Sequence, residues 1–219
     1  MPGRFSLGAA YGAGYRRGME TPPWDGWYHC MGNTYGTWLR GDERGWRARH
    51  HREHVDGDYK HRPPAGKYEA QKQQSLTTMK RPPVRLTAQQ RRIVCDALVE
   101  KLLRDEVEVA ACVVTATHFH LVARFPNYKR PGMAMPGLSP GNTAKRGAAS
   151  VDPAPRHYLG RAKKHASHIL RAAGLTAPGG LWATRSEIRP IESQSHHQKL
   201  ITRYLPDHAP HEDAALWQH

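Results

Sequence analysis

Apolar residues recur at three- and four-residue spacing in Ile93, Val94, Ala97, Leu98 and Leu102, which predicts a helix over 88–104. Thr87-Ala88-Gln89-Gln90 is a capping-box pattern at its start. Val107 to Val114 is rich in valine, breaks at Thr115-Ala116-Thr117 and resumes as His118 to Phe125, the pattern of two strands in a hairpin. Side chains alternate along a strand, so Phe119, Leu121, Ala123 and Phe125 share a face that buries, while His118, His120, Val122 and Arg124 point the other way. From Tyr158, a stripe of Leu159, Ala162, Ala166, Ile169, Leu170 and Ala173 predicts a second helix that stops at Gly174, with Lys163, Lys164, His165 and Arg171 off the stripe. Leu181-Trp182 and Ile188 suggest another strand, and Ser193 or Ser195 can cap a last helix carrying Leu200, Ile201 and Tyr204. Upstream of all these, Trp27 to Met31 reads as a short strand ending at Gly32-Asn33.

Between these elements the pattern fails. Residues 1–25, rich in Gly, Arg and Pro, read as a flexible arm. The His/Arg-rich stretch 43–83 reads as a large loop, and residues 126–156, crowded with Pro, Gly, Ala and Ser, as a linker without fixed structure. One domain over 26–210 with two insertions, followed by a tail at 211–219, is the organisation expected.

Composition changes the picture in two ways. With 33 Lys and Arg against 19 Asp and Glu the formal charge is +14, spread through segments that look folded, which favours a polyanionic partner such as nucleic acid. Cys30, Cys95 and Cys112 form no Cys-x-x-Cys pair and are odd in number, so they encode neither a disulfide framework nor a structural zinc site and fit a reducing compartment. The sequence has no run of 18 apolar residues and its first residues lack the apolar core of a signal peptide, so a cytoplasmic location without membrane contact is expected.

The candidate chemistry is His118-Phe119-His120, two imidazoles on one face of a strand and able to share a metal ion. With 15 His in 219 residues, roughly one such pair arises by chance, and the chain contains one. Two histidines that merely flank a core Phe are the alternative, so the weight rests on context.

That context resembles the HUH single-strand nucleases with one catalytic tyrosine, the IS200/IS605-like Y1 transposases and their REP-associated relatives. The segments that carry the resemblance are Tyr28-His29 through Gly36-Thr37-Trp38-Leu39-Arg40-Gly41-Asp42, Thr117-His118-Phe119-His120-Leu121-Val122, the basic helix Gly160-Arg161-Ala162-Lys163-Lys164, and Leu181-Trp182 leading to Arg203-Tyr204-Leu205-Pro206-Asp207-His208. The family places a bulky apolar residue between its histidines, as Phe119 is here. The resemblance implies an α/β (α+β) ferredoxin-like fold, an antiparallel sheet with helices packed on it, the histidines on a central strand and the nucleophile on the C-terminal helix. By position the nucleophile is Tyr204 rather than its rival Tyr158. His208, four residues on and on the same helical face, is the third metal ligand, although Pro206 between them disfavours helix.

The implied activity is cleavage and strand transfer of single-stranded DNA at or near a hairpin through a covalent 5′-phosphotyrosine. Imidazole ligands alone suggest zinc or another transition metal; the resemblance implies Mg2+ or Mn2+. Lys163, Lys164, Arg171 and Arg203 are the implied phosphate contacts, and Trp38, Tyr35 and Trp182 are candidates for base stacking or for the core. A homodimer fits the family. Two other classes stay open: a domesticated regulator that binds hairpin DNA without cutting it, and a zinc-binding module or phosphoesterase built on His50, His51 and His54.

Overall fold

The computed structural model describes residues 23–46, 53–57, 60–126, 153–176, 179–212 and 214–218. The expected arm at 1–25 and linker at 126–156 therefore lie almost wholly outside the described residues. The chain divides into two compact units. Trp38–Lys80 belongs to one, and Glu20–Thr37 with Arg81–His219 forms the other.

The first unit corrects the reading of 43–83 as a loop, because it contains a helix, α1 (Glu69–Thr77). No apolar stripe announces α1, since Leu76 is its only large apolar residue and its side chains bond locally, as Gln73 does to Glu69 at 2.6 Å. Around it, Val55 is fully buried, Asp56 accepts from Lys67 and Tyr68 at 2.6 and 2.7 Å, and Ser75 donates to the Arg40 carbonyl at 2.9 Å.

The second unit runs β1 (Trp27–Thr34), α2 (Ala88–Arg104), β2 (Glu108–Val114), β3 (His118–Arg124), α3 (Pro153–Ala172) and β4 (Trp182–Pro190). Their spatial order is β4-β1-β3-β2, with every neighbouring pair antiparallel. This is the βαββαβ arrangement of ferredoxin-like folds, and it puts the histidine strand β3 between two partners. After β4 come α4 (Gln194–Lys199), a π turn (Leu200–Tyr204) and α5 (Leu205–Glu212). The expected tail at 211–219 instead supplies a fifth strand, β5 (Ala215–Gln218), paired with β2.

The helix starts follow the expected chemistry. Thr87 accepts from the Gln90 N–H at 3.3 Å while Gln90 accepts from the Thr87 N–H at 2.8 Å, and Ser193 rather than Ser195 caps α4, accepting from His196 N–H at 3.2 Å. Helix α3 begins at Pro153, five residues before the predicted start at Tyr158. Proline in a first helical turn loses nothing, since no carbonyl there awaits its N–H.

Two cores flank the sheet. On one face Phe119, Leu121 and Ala123 pack with Leu98 and Leu102 of α2 and Leu159, Ala166 and Leu170 of α3. Phe119 and Leu121 are each no more than 1% exposed, and such burial contributes about 1.5–3 kcal/mol per side chain. Gly32, opposite Phe119 in the ladder, makes room for it: a Cβ at 32 would lie 2.3 Å from the ring. On the other face Val122 packs with Trp27, Ala111, Val113, Ile191, Leu200 and Leu205. The helix pair that follows β4 thus covers the strand face bearing the histidines.

Candidate active site

His118 and His120 stand on β3 two residues apart and pair in the ladder with Asn33 and Met31 of β1. Their faces follow strand alternation, as Phe119 lies in the opposite core and Val122 beneath the C-terminal helices. Above them the π turn ends at Tyr204. The Leu205 N–H bonds to the Leu200 carbonyl, five residues back, and α5 then continues through Pro206. Pro206 does not end the helix, because it is the second residue of a newly started α-helical segment. In this i→i+5 register the Ile201 carbonyl would await an N–H from residue 206, which proline lacks. Gln218 of β5 donates to that carbonyl instead, at 2.7 Å.

Because α5 continues, His208 returns to the site. The ligand atoms of His118, His120 and His208 all lie within 4.8 Å of one another, and among the described residues they are the group able to hold a metal ion. The Tyr204 ring lies 4.7 Å from the His208 ring and 5.4 Å from that of His120. Tyr158 is elsewhere, stacked on Phe125 in the core on the opposite face of the sheet.

Hydrogen bonds hold the imidazole rings in place. Nδ1 of His208 donates to the Tyr204 carbonyl at 2.7 Å, since a carbonyl can only accept. Nδ1 of His118 lies 3.0 Å from the Thr115 hydroxyl and 3.2 Å from that of Thr117, and the Thr115 hydroxyl also donates to the His118 carbonyl at 3.0 Å. Nδ1 of His120 lies 3.1 Å from Nε2 of His29, and a proton on Nδ1 donated to His29 leaves Nε2 of His120 with its lone pair. Each imidazole thus has its Nδ1 within hydrogen-bonding distance of a protein atom, as the ring nitrogens of metal-binding histidines commonly do. Three neutral donors also leave an ion its full charge, and a divalent metal fits this set.

The sequence reading gave His29 no role. Nothing in its spacing from His120, 91 residues away, connects them; only the β1–β3 register does, in which His29 faces Val122, diagonal to His120. His29 and His120 are 3% and 5% exposed. Burial, followed by the nearby Arg189, His196 and His208, lowers the pKa of His29 to about 4. Burial and then the neighbouring His29, His118 and His208 hold that of His120 well below the usual histidine range. Both are therefore neutral at physiological pH. His118, His208 and Tyr204 are only partly buried and form the open side of the cluster.

The basic residues divide. Lys164, Arg171 and Arg203 are exposed, but Lys163 is 8% exposed and donates to the Ala183 carbonyl and the Ser186 hydroxyl at 3.0 and 3.1 Å. Lys163 thus ties α3 to β4 rather than projecting from the surface, and its burial lowers its pKa. Trp182 packs edge-on against Phe119 at 5.2 Å and donates to the Lys163 carbonyl, so it serves the core. Tyr35 lies under the Arg81 guanidinium at 4.0 Å, and Trp38, 45% exposed, carries Arg44 on its ring at 4.6 Å. Of the histidine-rich loop, His50 and His51 lie outside the described residues and His54 faces Asp56 at 3.5 Å. Among the described residues no helix is long and apolar enough to cross a membrane.

The sequence matches no protein-family model and no curated protein. Among solved structures the chain is similar to a REP-associated tyrosine transposase bound to a REP hairpin, with a TM-score of 0.41 and 13% identity over 91% of this chain and 73% of that one.

Proposed function

We propose that the protein is a metal-dependent single-stranded DNA endonuclease and strand transferase that cuts at or near a hairpin, with Tyr204 as nucleophile. The observation that carries this reading is the meeting of Tyr204 with His118, His120 and His208 on one face of the sheet. His118, His120 and His208 would hold a divalent ion, magnesium or manganese, which would supply positive charge against the charge that develops at the scissile phosphate.

The chain's own residues do the rest. Tyr204 attacks phosphorus; its O–P bond forms as the bond to the 3′ oxygen breaks, the phenolic proton is lost and the departing oxygen ends as a hydroxyl. The product is a 5′-phosphotyrosine that conserves the phosphodiester, so the strand can be rejoined without a nucleotide cofactor. His118, His120 and His208 each bring a ring nitrogen to within 4.8 Å of the others. Arg203, adjacent to the nucleophile and exposed, together with Lys164 and Arg171, draws the DNA backbone. Because Tyr204 sits against histidines of its own chain, cleavage by this reading needs no second copy.

The test is incubation with a labelled hairpin carrying single-stranded flanks in Mg2+ or Mn2+, followed by a denaturing gel. A protein-linked DNA species should form with the natural chain and vanish with Tyr204→Phe. An adduct that survives Tyr204→Phe overturns the nucleophile assignment, and tight binding that never leads to cleavage in either metal favours the regulator.

A further inference from the structure

Helix α3 carries a second pattern beside its apolar stripe. Arg156, Gly160, Lys163, Lys164, Ser167 and Arg171 recur at spacings of four, three, one, three and four residues, which places them in one band along the flank of the helix. The band is about 22 Å long at 1.5 Å per residue. Where it meets β4 there is a groove of about 340 Å³, lined among others by Arg156, Gly160, Lys163, Ala183, Arg185 and Ser186. Among the described residues no acidic side chain lines it. Arg156 and Arg185 are exposed at its rim, and Lys163 lies at its floor with two of its three N–H donors committed to Ala183 and Ser186.

Gly160 is the informative residue. Glycine within a helix is less stable than alanine, so a helical glycine invites a packing explanation. Gly32 has that explanation, with the Phe119 ring where its Cβ would be. Gly160 does not: among the described residues a Cβ there meets nothing within 4 Å, and it lies within helix α3. The described residues give no packing reason for the missing methyl group, and the space it leaves opens onto the groove.

We infer that the α3–β4 groove is a binding track for the phosphodiester backbone of nucleic acid, with Gly160 as its point of closest approach, Lys163 as the fixed charge at its floor and Arg156 and Arg185 as its rim. The inference rests on the proposed function for its ligand, and it locates contacts which that reading leaves open. A phosphate seated there displaces counterions, so each arginine lost should reduce the salt dependence of binding by close to one ion.

The experiment measures hairpin binding to the full chain by fluorescence anisotropy across a salt series, in chelator so that no cleavage intervenes. Arg156→Ala with Arg185→Ala should weaken binding about tenfold or more and lower the slope of log K against log salt by roughly 1.4–1.8. A charge-matched control, Arg92→Ala with Arg104→Ala on α2, should change neither. Gly160→Ala should raise Tm by about 2–4 °C and weaken binding, and Gly160→Glu should weaken it further. A rim double variant that keeps the natural affinity and slope while the natural chain binds and cuts the hairpin overturns the inference alone. Equal losses in both double variants overturn it as well, because the attraction is then diffuse. A natural chain that binds no hairpin overturns the functional reading, and this inference with it.

Discussion

The two faces of β3 are built from alternate residues of one seven-residue strand and follow different physics. Phe119, Leu121 and Ala123 face two regular helices, α2 and α3, whose stripes supply apolar partners. His118, His120 and Val122 face α4, a π turn and α5, a path with an irregular register and a proline inside it. The first face is stable because nothing polar has been taken from water. The second buries His120 against His29 and accepts imidazoles held neutral by their surroundings, an arrangement that costs stability. The strand separates a face that holds the fold from a face that carries the candidate site.

The largest expected effect breaks that separation one face at a time. Leu121→Ala should lower unfolding free energy by about 2–5 kcal/mol in urea titrations, with cleavage by the molecules that remain folded largely intact. His120→Ala should do the reverse, abolishing metal-stimulated adduct formation while leaving the urea midpoint close to its natural value. If His120→Ala unfolds the protein as Leu121→Ala does, the histidine face is structural and the comparison fails.

Acid should separate the faces next. His29 titrates near 4 in the folded chain against about 6.5 unfolded, so between those values the unfolded chain binds a proton that the folded one refuses. Its contribution is therefore fully favourable above about 6.5 and is lost as pH falls toward 4, a total of about 3 kcal/mol. Urea midpoints of chelator-treated protein should fall between pH 7 and 4.5, and His29→Leu should flatten the decline. Phe119, Leu121 and Ala123 have nothing to titrate.

What was legible in the sequence divides along the same line. The α2 stripe, the Thr87 capping box, the valine-rich hairpin and the alternation through His118-Phe119-His120 are local periodicities, and each became the element expected. So did the ferredoxin-like sheet that the resemblance implied. Helix α1 was illegible because a helix polar on all sides has no stripe. The burial of Lys163 was illegible because a lysine off the apolar stripe looks exposed until β4 is laid over it. His29 could not be found at all, because its partner lies 91 residues away and only strand register joins them.

That register gives the next prediction. If His29 holds Nδ1 of His120 and so keeps Nε2 available, His29→Leu should weaken Mn2+ binding by about 10–100-fold, measured calorimetrically on chelator-treated protein. His29→Gln, which keeps an acceptor on a side chain of similar reach, should recover part of the loss. Equal affinity in all three chains would separate His29 from the site, whatever it does for stability.

The smallest effect concerns how Tyr204 and His208 come to share one face. The π turn moves the register by one residue just before Pro206, and it leaves the Ile201 carbonyl without a backbone donor. Gln218 fills that position from β5, the last strand of the sheet. Replacing Gln218 with Ala removes one hydrogen bond of ordinary strength, about 1 kcal/mol, from a site that water can partly reach. Global stability should therefore fall only slightly. If the bond also holds the turn in its i→i+5 register, adduct formation per folded molecule should fall more than the urea midpoint does, because relaxation to an i→i+4 register rotates Tyr204 relative to His208. Amide exchange at Leu205, whose N–H closes the turn onto the Leu200 carbonyl, reads that register directly and should quicken in Gln218→Ala. Unchanged exchange at Leu205 would mean that the packing of Leu200 and Leu205 against Val122 holds the turn by itself, and that the histidine face, like the apolar one, takes its geometry from buried side chains.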